Sequence, residues 1–394
     1  MGLFKQKMTF VSVLLVLAVL VVFGAAMMGS VVSIKPKDVP VALVMLDQGA
    51  DMPGGARLEA GKQLQEQLTG NAKLPFKWTI VKSEQEARAG IDDRTYYGAL
   101  VLPADLSAGA ASLAGPSPKP ATVRILTSEG ANSQAAAAVK QGLNGAMALA
   151  SQGMAQSMLQ QLSAKSEQLP IGTAKALLAP IVVQEETLHA VGVNNAGGNA
   201  PGLLVQIMWM GSLVTAALLF TAGTAAMKSG TGRLSAVLGQ PVIGAVIVGI
   251  AAAFLVWMAS AWYGMELYDA AGAWLFLWLA GMMFYLIQSA LLNWLGMAAM
   301  PILVLVMFFS MPVLNMAPEF LTEASRDWIY SWTPLRFAAV GLREEMYFGG
   351  LDAATANIAV IGSVGGAFLV LLVLAGLRRG KGSSSNLEAA TETA

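Results

Sequence analysis

The sequence predicts an α-helical integral membrane protein with six transmembrane helices and an extracytoplasmic α/β domain, with a long helical stalk, inserted between helices 1 and 2. The six transmembrane helices are predicted from six apolar runs, because about 20 residues of helix cross the roughly 30 Å hydrocarbon core of a bilayer. The α/β domain is predicted from a polar stretch between the first two runs. The runs cover residues 10–28, 203–227, 242–263, 271–292, 297–316 and 358–377.

The runs divide the chain into four parts. These are residues 1–29, the N-terminal cytoplasmic end and first helix; 30–201, the α/β domain; 202–377, the other five helices; and 378–394, a disordered cytoplasmic tail. The first run is longer than the core of a signal peptide, which has about 7 to 15 residues, so we expect an uncleaved anchor. A cleaved signal peptide is the alternative, since Gly24, Ala25 and Ala26 are small residues near the end of the run.

Lysine and arginine near the ends of the runs set the expected orientation, because short loops rich in these residues stay in the cytoplasm. With six helices, three basic clusters fall on one side. They contain Lys5, Lys7, Lys228, Arg233, Arg378, Arg379 and Lys381. We therefore expect a multi-pass protein of the plasma membrane with both termini in the cytoplasm and its large domain outside.

Alternating short strands and helices are predicted in the polar stretch. Apolar, β-branched runs predict strands at residues 39–46, 76–82, 96–103 and 121–127. Leucines near helical spacing predict a helix within residues 56–68, and Ser83 three residues before Glu86 predicts a capping box at the start of another. Residues 131–178, rich in Ala, Gln, Ser and Met, predict a long helical stalk or hairpin packed on the α/β core; a partner-binding coiled coil is the alternative.

Composition excludes several classes of function. The chain has no net charge and no cysteine, so it lacks the electrostatic footprint of a nucleic-acid-binding protein and has no thiolate chemistry. His189 is the only histidine, and with Glu185 and Glu186 it makes a weak ligand set for a metal. We expect a surface histidine, no metal, no cofactor and no catalytic residues.

The energy source of any transport must lie outside this chain. No phosphate-binding loop is present, because neither Gly-Lys pair has the glycine and the Ser or Thr at the required spacing. The six runs also have no ionisable residue in their interiors, which argues against a proton relay. Their most polar members, Gln206, Gln288 and Asn293, are expected to form interhelical hydrogen bonds; lining a translocation path is the alternative.

Two long segments resemble a known family. SEQEARAGIDDRTYYGALVLPADLS (residues 83–107) looks like the outer domain of ABC-2-type membrane permeases, and VGVNNAGGNAPGLLVQIMWMGSLVTAAL (residues 191–218) is similar to their YhgE/Pip branch. The resemblance implies a homodimer in the bilayer that exports a hydrophobic or amphipathic substrate, with ATP hydrolysed by a separate cytoplasmic subunit. The alternative is a cell-surface receptor or scaffold of an envelope or secretion system, similar to phage infection proteins, without transport.

The cytoplasmic loop KSGTGRLSAVLGQP (residues 228–241) resembles the segment by which ABC-2 permeases contact their ATPase. Gly230, Thr231, Leu234 and Pro241 match that pattern loosely, whereas Arg233 stands where an acidic residue is expected. The residues alone also fit a polar turn whose basic side chains set the topology.

Residues 318–350 resemble the segment before the last helix of these permeases. Aromatic residues alternate there with arginines, a pattern typical of helices at the outer membrane interface. Arg336, Arg343 and Trp332 are candidates for contacts with lipid headgroups or with an anionic substrate. Arginines that extend to the interface as anchors are the alternative.

Overall fold

The computed structural model describes residues 36–52, 57–113, 115, 117–163 and 170–378. The predicted first transmembrane helix and residues 379–394 of the predicted tail lie outside these ranges. The chain forms two compact units. One is an α/β unit that ends at Asn199 and also includes Asn315–Trp328; the other is a helical bundle of Ala200–Leu314 and the residues from Ile329 onward.

The α/β unit is built on a five-stranded mixed sheet in the order β4-β1-β5-β6-β7, and β2 and β3 form a separate short hairpin. In the sheet β4, β1 and β5 are parallel, β6 is antiparallel to β5, and β7 is parallel to β6. The strands are β1 (Val39–Met45), β2 (Ala50–Asp51), β3 (Arg57–Leu58), β4 (Phe76–Val81), β5 (Gly98–Leu102), β6 (Ala121–Ser128) and β7 (Ile181–Leu188). The helices are α1 (Ala60–Thr69), α2 (Glu84–Asp92), α3 (Leu106–Ser112), α4 (Ser133–Ser163) and α5 (Ile171–Leu177).

Both faces of this sheet are covered, which explains why β1 is apolar throughout. Successive side chains of a strand point to opposite faces. Val41 and Leu43 pack in the core that contains α1 and α4 residues, whereas Ala42 and Val44 pack in the core that contains α2 residues. The helical stretch predicted at residues 131–178 contains α4 and α5, and α4 packs on the sheet through buried side chains of the larger core.

The four predicted strands are present, and so is the capping box: Ser83 Oγ accepts a hydrogen bond from Glu86 N at 3.1 Å. The β2–β3 hairpin and β7 were not predicted. Apolar and polar residues alternate only weakly in β7, because Gln184, Glu185 and Glu186 follow one another. Both glutamates form ion pairs with neighbouring elements. An edge strand stabilised by charged pairs does not show the apolar alternation from which strands are recognised.

The helical bundle contains four helical segments of the described chain that are long and apolar enough to cross a membrane. They are Ala200–Lys228, Arg233–Ala261, Ala270–Ser310 and Leu351–Leu377. We number the bundle helices α6 (Ala200–Lys228), α7 (Arg233–Ala261), α8 (Ala270–Leu295), α9 (Ala299–Ser310), α10 (Pro334–Tyr347) and α11 (Thr355–Leu377).

Two predictions about the bundle differ from the structure. Helix α9 has 12 residues and ends in a turn of 3₁₀ helix at Met311–Val313, so it is about 18 Å long and shorter than the span predicted at residues 297–316. The chain turns between α8 and α9 at Gly296, which has a φ of +65°. The loop predicted at residues 228–241 is also shorter, because α7 already begins at Arg233 and contains Pro241.

Close contacts fix α8 against α7. A Cβ added at Gly244 would lie 2.4 Å from the Cζ of the fully buried Tyr285 ring, so only glycine fits there. The indole nitrogens of Trp274 and Trp278 donate to the carbonyls of Gly249 (3.1 Å) and Ala245 (2.9 Å). These donors and acceptors are each one helical turn apart, which sets the register of the two helices.

Candidate functional site

The turn between α6 and α7 has a defined backbone geometry. Thr231 N donates to Ala226 O (3.0 Å) and Gly230 N to Met227 O (3.2 Å), and Gly230 has a φ of +101°. These are the two hydrogen bonds and the left-handed residue of a Schellman motif. The predicted ATPase-contact residues Gly230 and Thr231 therefore form an exposed helix cap.

Arg233 and Leu234 connect this turn to the end of α11. The Nε of Arg233 donates to Ala375 O at 3.0 Å, and a Cβ at Gly376 would lie 3.2 Å from Cδ1 of Leu234. Carbonyls in the last turn of a helix lack partners within the helix and favour a positive charge. This contact explains in structural terms why arginine occupies the position where the acidic residue was expected. Pro241, inside α7, does not belong to the turn.

Two of the three predicted polar residues of the spans form hydrogen bonds between helices. Gln288 Nε2 donates to Trp209 O (3.2 Å), and Asn293 Nδ2 donates to Gln240 Oε1 (2.9 Å). Gln288 is fully buried, while Gln206 is half-buried. The geometry matches the expectation of interhelical hydrogen bonds. Gln240 lies in the predicted loop, outside the predicted spans, so the sequence pattern does not single it out.

The three predicted interfacial residues in the segment around α10 differ in exposure and in contacts. Trp332 is 56% exposed. Arg336 stacks over Tyr330, with its guanidinium carbon 4.2 Å from the ring centroid, and donates to Tyr330 O at 3.1 Å. Arg343 is buried, and its contact with lipid headgroups or an anionic substrate stays a prediction. It is buried because α10 packs against α6, α8 and α11, which cover the face that carries it.

Two carboxylates next to Arg343 are buried as well and were not singled out from the sequence. Glu344 Oε2 accepts from Asn357 Nδ2 of α11 at 2.9 Å. Glu345 is completely buried, and in the described part of the chain both of its carboxylate oxygens lack a hydrogen-bond partner. The sequence marks this position only by three consecutive charged residues in a short helix. Such a run usually faces solvent, so it does not indicate burial.

Comparison with known proteins places these features in a family. The family model described as "ABC-2 family transporter protein" matches residues 7–377. The chain belongs to the ABC-2 transporter family. Neither the curated proteins nor the solved structures yielded a match. The family and the four apolar helical segments together make this a multi-pass membrane protein of a transporter family, with an α/β unit.

In this ABC-2 transporter protein, the chain between α9 and α10 contributes to the α/β unit. Phe320 and Ala317 are buried in the larger core of that unit. The backbone carbonyl of Glu319 accepts a hydrogen bond from Lys37 N at 3.1 Å, and its carboxylate accepts one from Tyr97 Oη at 2.9 Å. Asn132 Nδ2 donates to Asn315 O at 3.0 Å. Part of the segment predicted to lie at the membrane interface is therefore a piece of the α/β fold.

The carboxylates near His189 are paired with basic side chains or lie beside its ring. Glu185 pairs with Lys140 and Glu186 with Arg88, while His189 Nε2 lies 3.4 Å from Asp92 Oδ1. Within the described residues no group of three or more His, Cys, Asp or Glu side chains is placed to hold a metal ion. His189 is half-buried and follows β7 with a φ of +47°.

We expect the α/β unit to lose stability as the pH falls below about 6.5. Burial lowers the pKa of His189 in the fold despite the nearby charge of Asp92. The unfolded chain therefore binds a proton at a higher pH than the folded chain does, and stability that is present above about 6.5 declines below it. Thermal unfolding at pH 7.5 and 5.5 measures this loss. His189→Asn, which tolerates a positive φ, should remove it; an unchanged pH dependence in this variant would contradict the assignment.

Proposed function

We propose that the chain is the membrane-spanning permease subunit of an ABC-2-type exporter of the YhgE/Pip-like branch. It moves a hydrophobic or amphipathic substrate out of the cell, works as a homodimer, and uses ATP hydrolysed by a separate cytoplasmic subunit. The match to the ABC-2 transporter family over residues 7–377 carries this proposal.

The junction of three helix ends supports coupling to such a subunit. The Schellman turn joins the end of α6 to the start of α7, and Arg233 joins the start of α7 to the last turn of α11. A force on the exposed turn would therefore act on three helices together. Such a junction would suit ATP-driven rearrangement of a permease, and the basic residues near the turn support a location on the cytoplasmic side.

The chemistry of the spans supports an apolar or amphipathic substrate. Residues 203–227, 242–263, 271–292 and 358–377 contain no Asp, Glu, Lys, Arg or His. The buried amide side chains Gln288 and Asn293 donate to neighbouring groups between helices. A pathway lined by these segments would offer few charged contacts, which suits a substrate that partitions into apolar surroundings.

Thr231→Glu tests the coupling site. The side chain of Thr231 is exposed, so we expect the variant to fold with an unchanged melting temperature. A bulky negative charge in a docking surface that excludes water should reduce co-purification of the ATPase subunit at least about tenfold, since an unpaired buried charge costs several kcal/mol. Pull-down of the solubilised full chain from its own cells, with quantitative mass spectrometry, measures this.

Asp352→Lys is the matched control, because Asp352 is exposed and lies just before the start of α11, the helix whose end contacts Arg233. It should retain the ATPase. If wild type captures no nucleotide-binding subunit and its cellular function persists without ATP, the permease proposal fails and the receptor or scaffold function stands. Chemical cross-linking of the same preparation should give a band at twice the mass of the chain; a purely monomeric product would contradict the homodimer.

A further inference from the structure

We infer that Glu345 and Asp269 form a proton-binding site in which Glu345 holds the proton inside the helical bundle and Asp269 connects it to water. The site does not depend on the proposed export function, because it can be observed without ATP or a partner subunit.

The burial of Glu345 is the first observation. Helix α10 has 14 residues and is not one of the four segments that can cross a membrane. Glu345 is 0% exposed, and among the described residues neither oxygen of its carboxyl group has a hydrogen-bond partner. A buried ionised carboxylate without partners is strongly unfavourable, whereas the protonated form is neutral. The environment therefore selects the acid that carries a proton.

The position of Asp269 is the second observation. A Cβ placed on Gly272 would lie 2.8 Å from Glu345 Oε1 and 2.9 Å from Asp269 Oδ2, so the two carboxyl groups face the same space. Asp269 is exposed and caps α8 by accepting a hydrogen bond from Ala271 N at 2.9 Å. One carboxyl group of the pair is thus enclosed and the other is in contact with solvent, which provides a route for the proton.

Other charged groups near Glu345 are few. Helix α10 itself carries Arg336 in its first turn and Arg343, Glu344 and the phenol Tyr347 near its end, and the following 3₁₀ turn carries Asp352. Helix α8 contributes Asp269, at its N-terminal cap, and farther along the helix the phenol Tyr285, whose hydroxyl donates to Gln240 O. Helices α6, α9 and α11, which also pack against α10, contain no ionisable residue except Lys228, the last residue of α6. Asp269 is therefore the charge that shares the space beside Gly272 with Glu345.

The space between the two carboxyl groups suits a proton better than a larger ligand. It does not admit even the methyl group of an alanine at position 272 without displacement of both carboxyl groups. A metal ion would need further ligands, and the described residues offer no group of three or more His, Cys, Asp or Glu around one point. The pKa of Glu345 is raised to about 8, mainly by burial and to a smaller extent by the negative charge of Asp269.

Infrared difference spectroscopy of the full chain in lipid nanodiscs tests the site. Between pH 6 and 10 the wild type should lose the C=O band of one protonated carboxyl group, with a midpoint near 8. Glu345→Gln should remove the band. Asp269→Asn should keep it and lower the midpoint, because a neighbouring negative charge favours the protonated acid. Glu266→Gln, at an exposed glutamate shortly before Asp269, is the matched control and should leave the spectrum unchanged.

Thermal unfolding gives a second measurement. The pKa of Glu345 is raised from 4.5, the usual value of a glutamate, to about 8 in the fold. Its contribution to stability is therefore fully present below pH 4.5 and is lost as the pH rises to about 8. The melting temperature of wild type should therefore fall between about pH 6.5 and 8 and level off above that range, and that of Glu345→Gln should not fall. Identical spectra for wild type and Glu345→Gln over the whole pH range would overturn the site. An unmoved midpoint in Asp269→Asn would overturn the pairing.

Discussion

Gly244→Ala is expected to lower the free energy of unfolding of the helical bundle by about 3 kcal/mol, at the upper end of what overpacking of a core usually costs. The added methyl group would lie 2.4 Å from Cζ and 2.9 Å from Oη of Tyr285. That ring is fully buried and its hydroxyl donates to Gln240 O at 2.8 Å, so the ring cannot move without losing this hydrogen bond. Thermal unfolding of detergent-solubilised protein, followed by circular dichroism, measures the loss.

Gly362→Ala is the matched control for this variant. Gly362 lies in α11, and no atom lies within 4 Å of the position that its Cβ would take. The same added methyl group should therefore leave the melting temperature almost unchanged. Equal melting temperatures for the two variants would show that α7 and α8 do not pack as closely as described.

Phe320→Ala should destabilise the α/β unit by about 4 kcal/mol, the usual cost of removing a buried aromatic side chain from a core. Phe320 is 7% exposed and packs in the larger core of that unit. The loss should appear as faster hydrogen exchange in β1 and β5, whose residues share this core. Mass spectrometry of exchanged, digested full-length protein measures it strand by strand.

Trp328→Ala controls for the loss of an aromatic residue in the same segment. Trp328 is 79% exposed, so its removal empties no space in the core. Exchange in β1 and β5 should match that of wild type. If both variants exchange alike, Phe320 does not hold the segment on the α/β unit.

Much of the α/β unit could be predicted because its signals are local. Strand β1 is an unbroken apolar run between turn residues, and the capping box needs only Ser83 and Glu86 at the right spacing. The long apolar helices follow in the same way from length and composition. Strand β7 could not be predicted, because its glutamates are neutralised by Arg88 and Lys140, which are distant in sequence.

The candidate sites were less accessible to prediction. Charge and aromatic content indicated interfacial helices around Arg343, but burial of Arg343, Glu344 and Glu345 depends on which helices cover α10. Nothing within α10 specifies its neighbours. The role of Arg233 was hidden for the same reason, since its acceptor Ala375 is in the last helix of the chain. Contacts between distant segments determine both sites, and a single sequence does not display them.

The contribution of Asn315–Trp328 to the α/β unit has a consequence for biosynthesis. A ribosome completes the first part of this unit at Asn199, then synthesises helices α6 to α9 before Ala317 and Phe320 exist. Until Ala317 and Phe320 have been synthesised, the core of the α/β unit lacks these two side chains. The core of the unit can be completed only after the fourteen residues that follow Leu314 have been synthesised, so folding of this unit ends later than synthesis of helices α6 to α9.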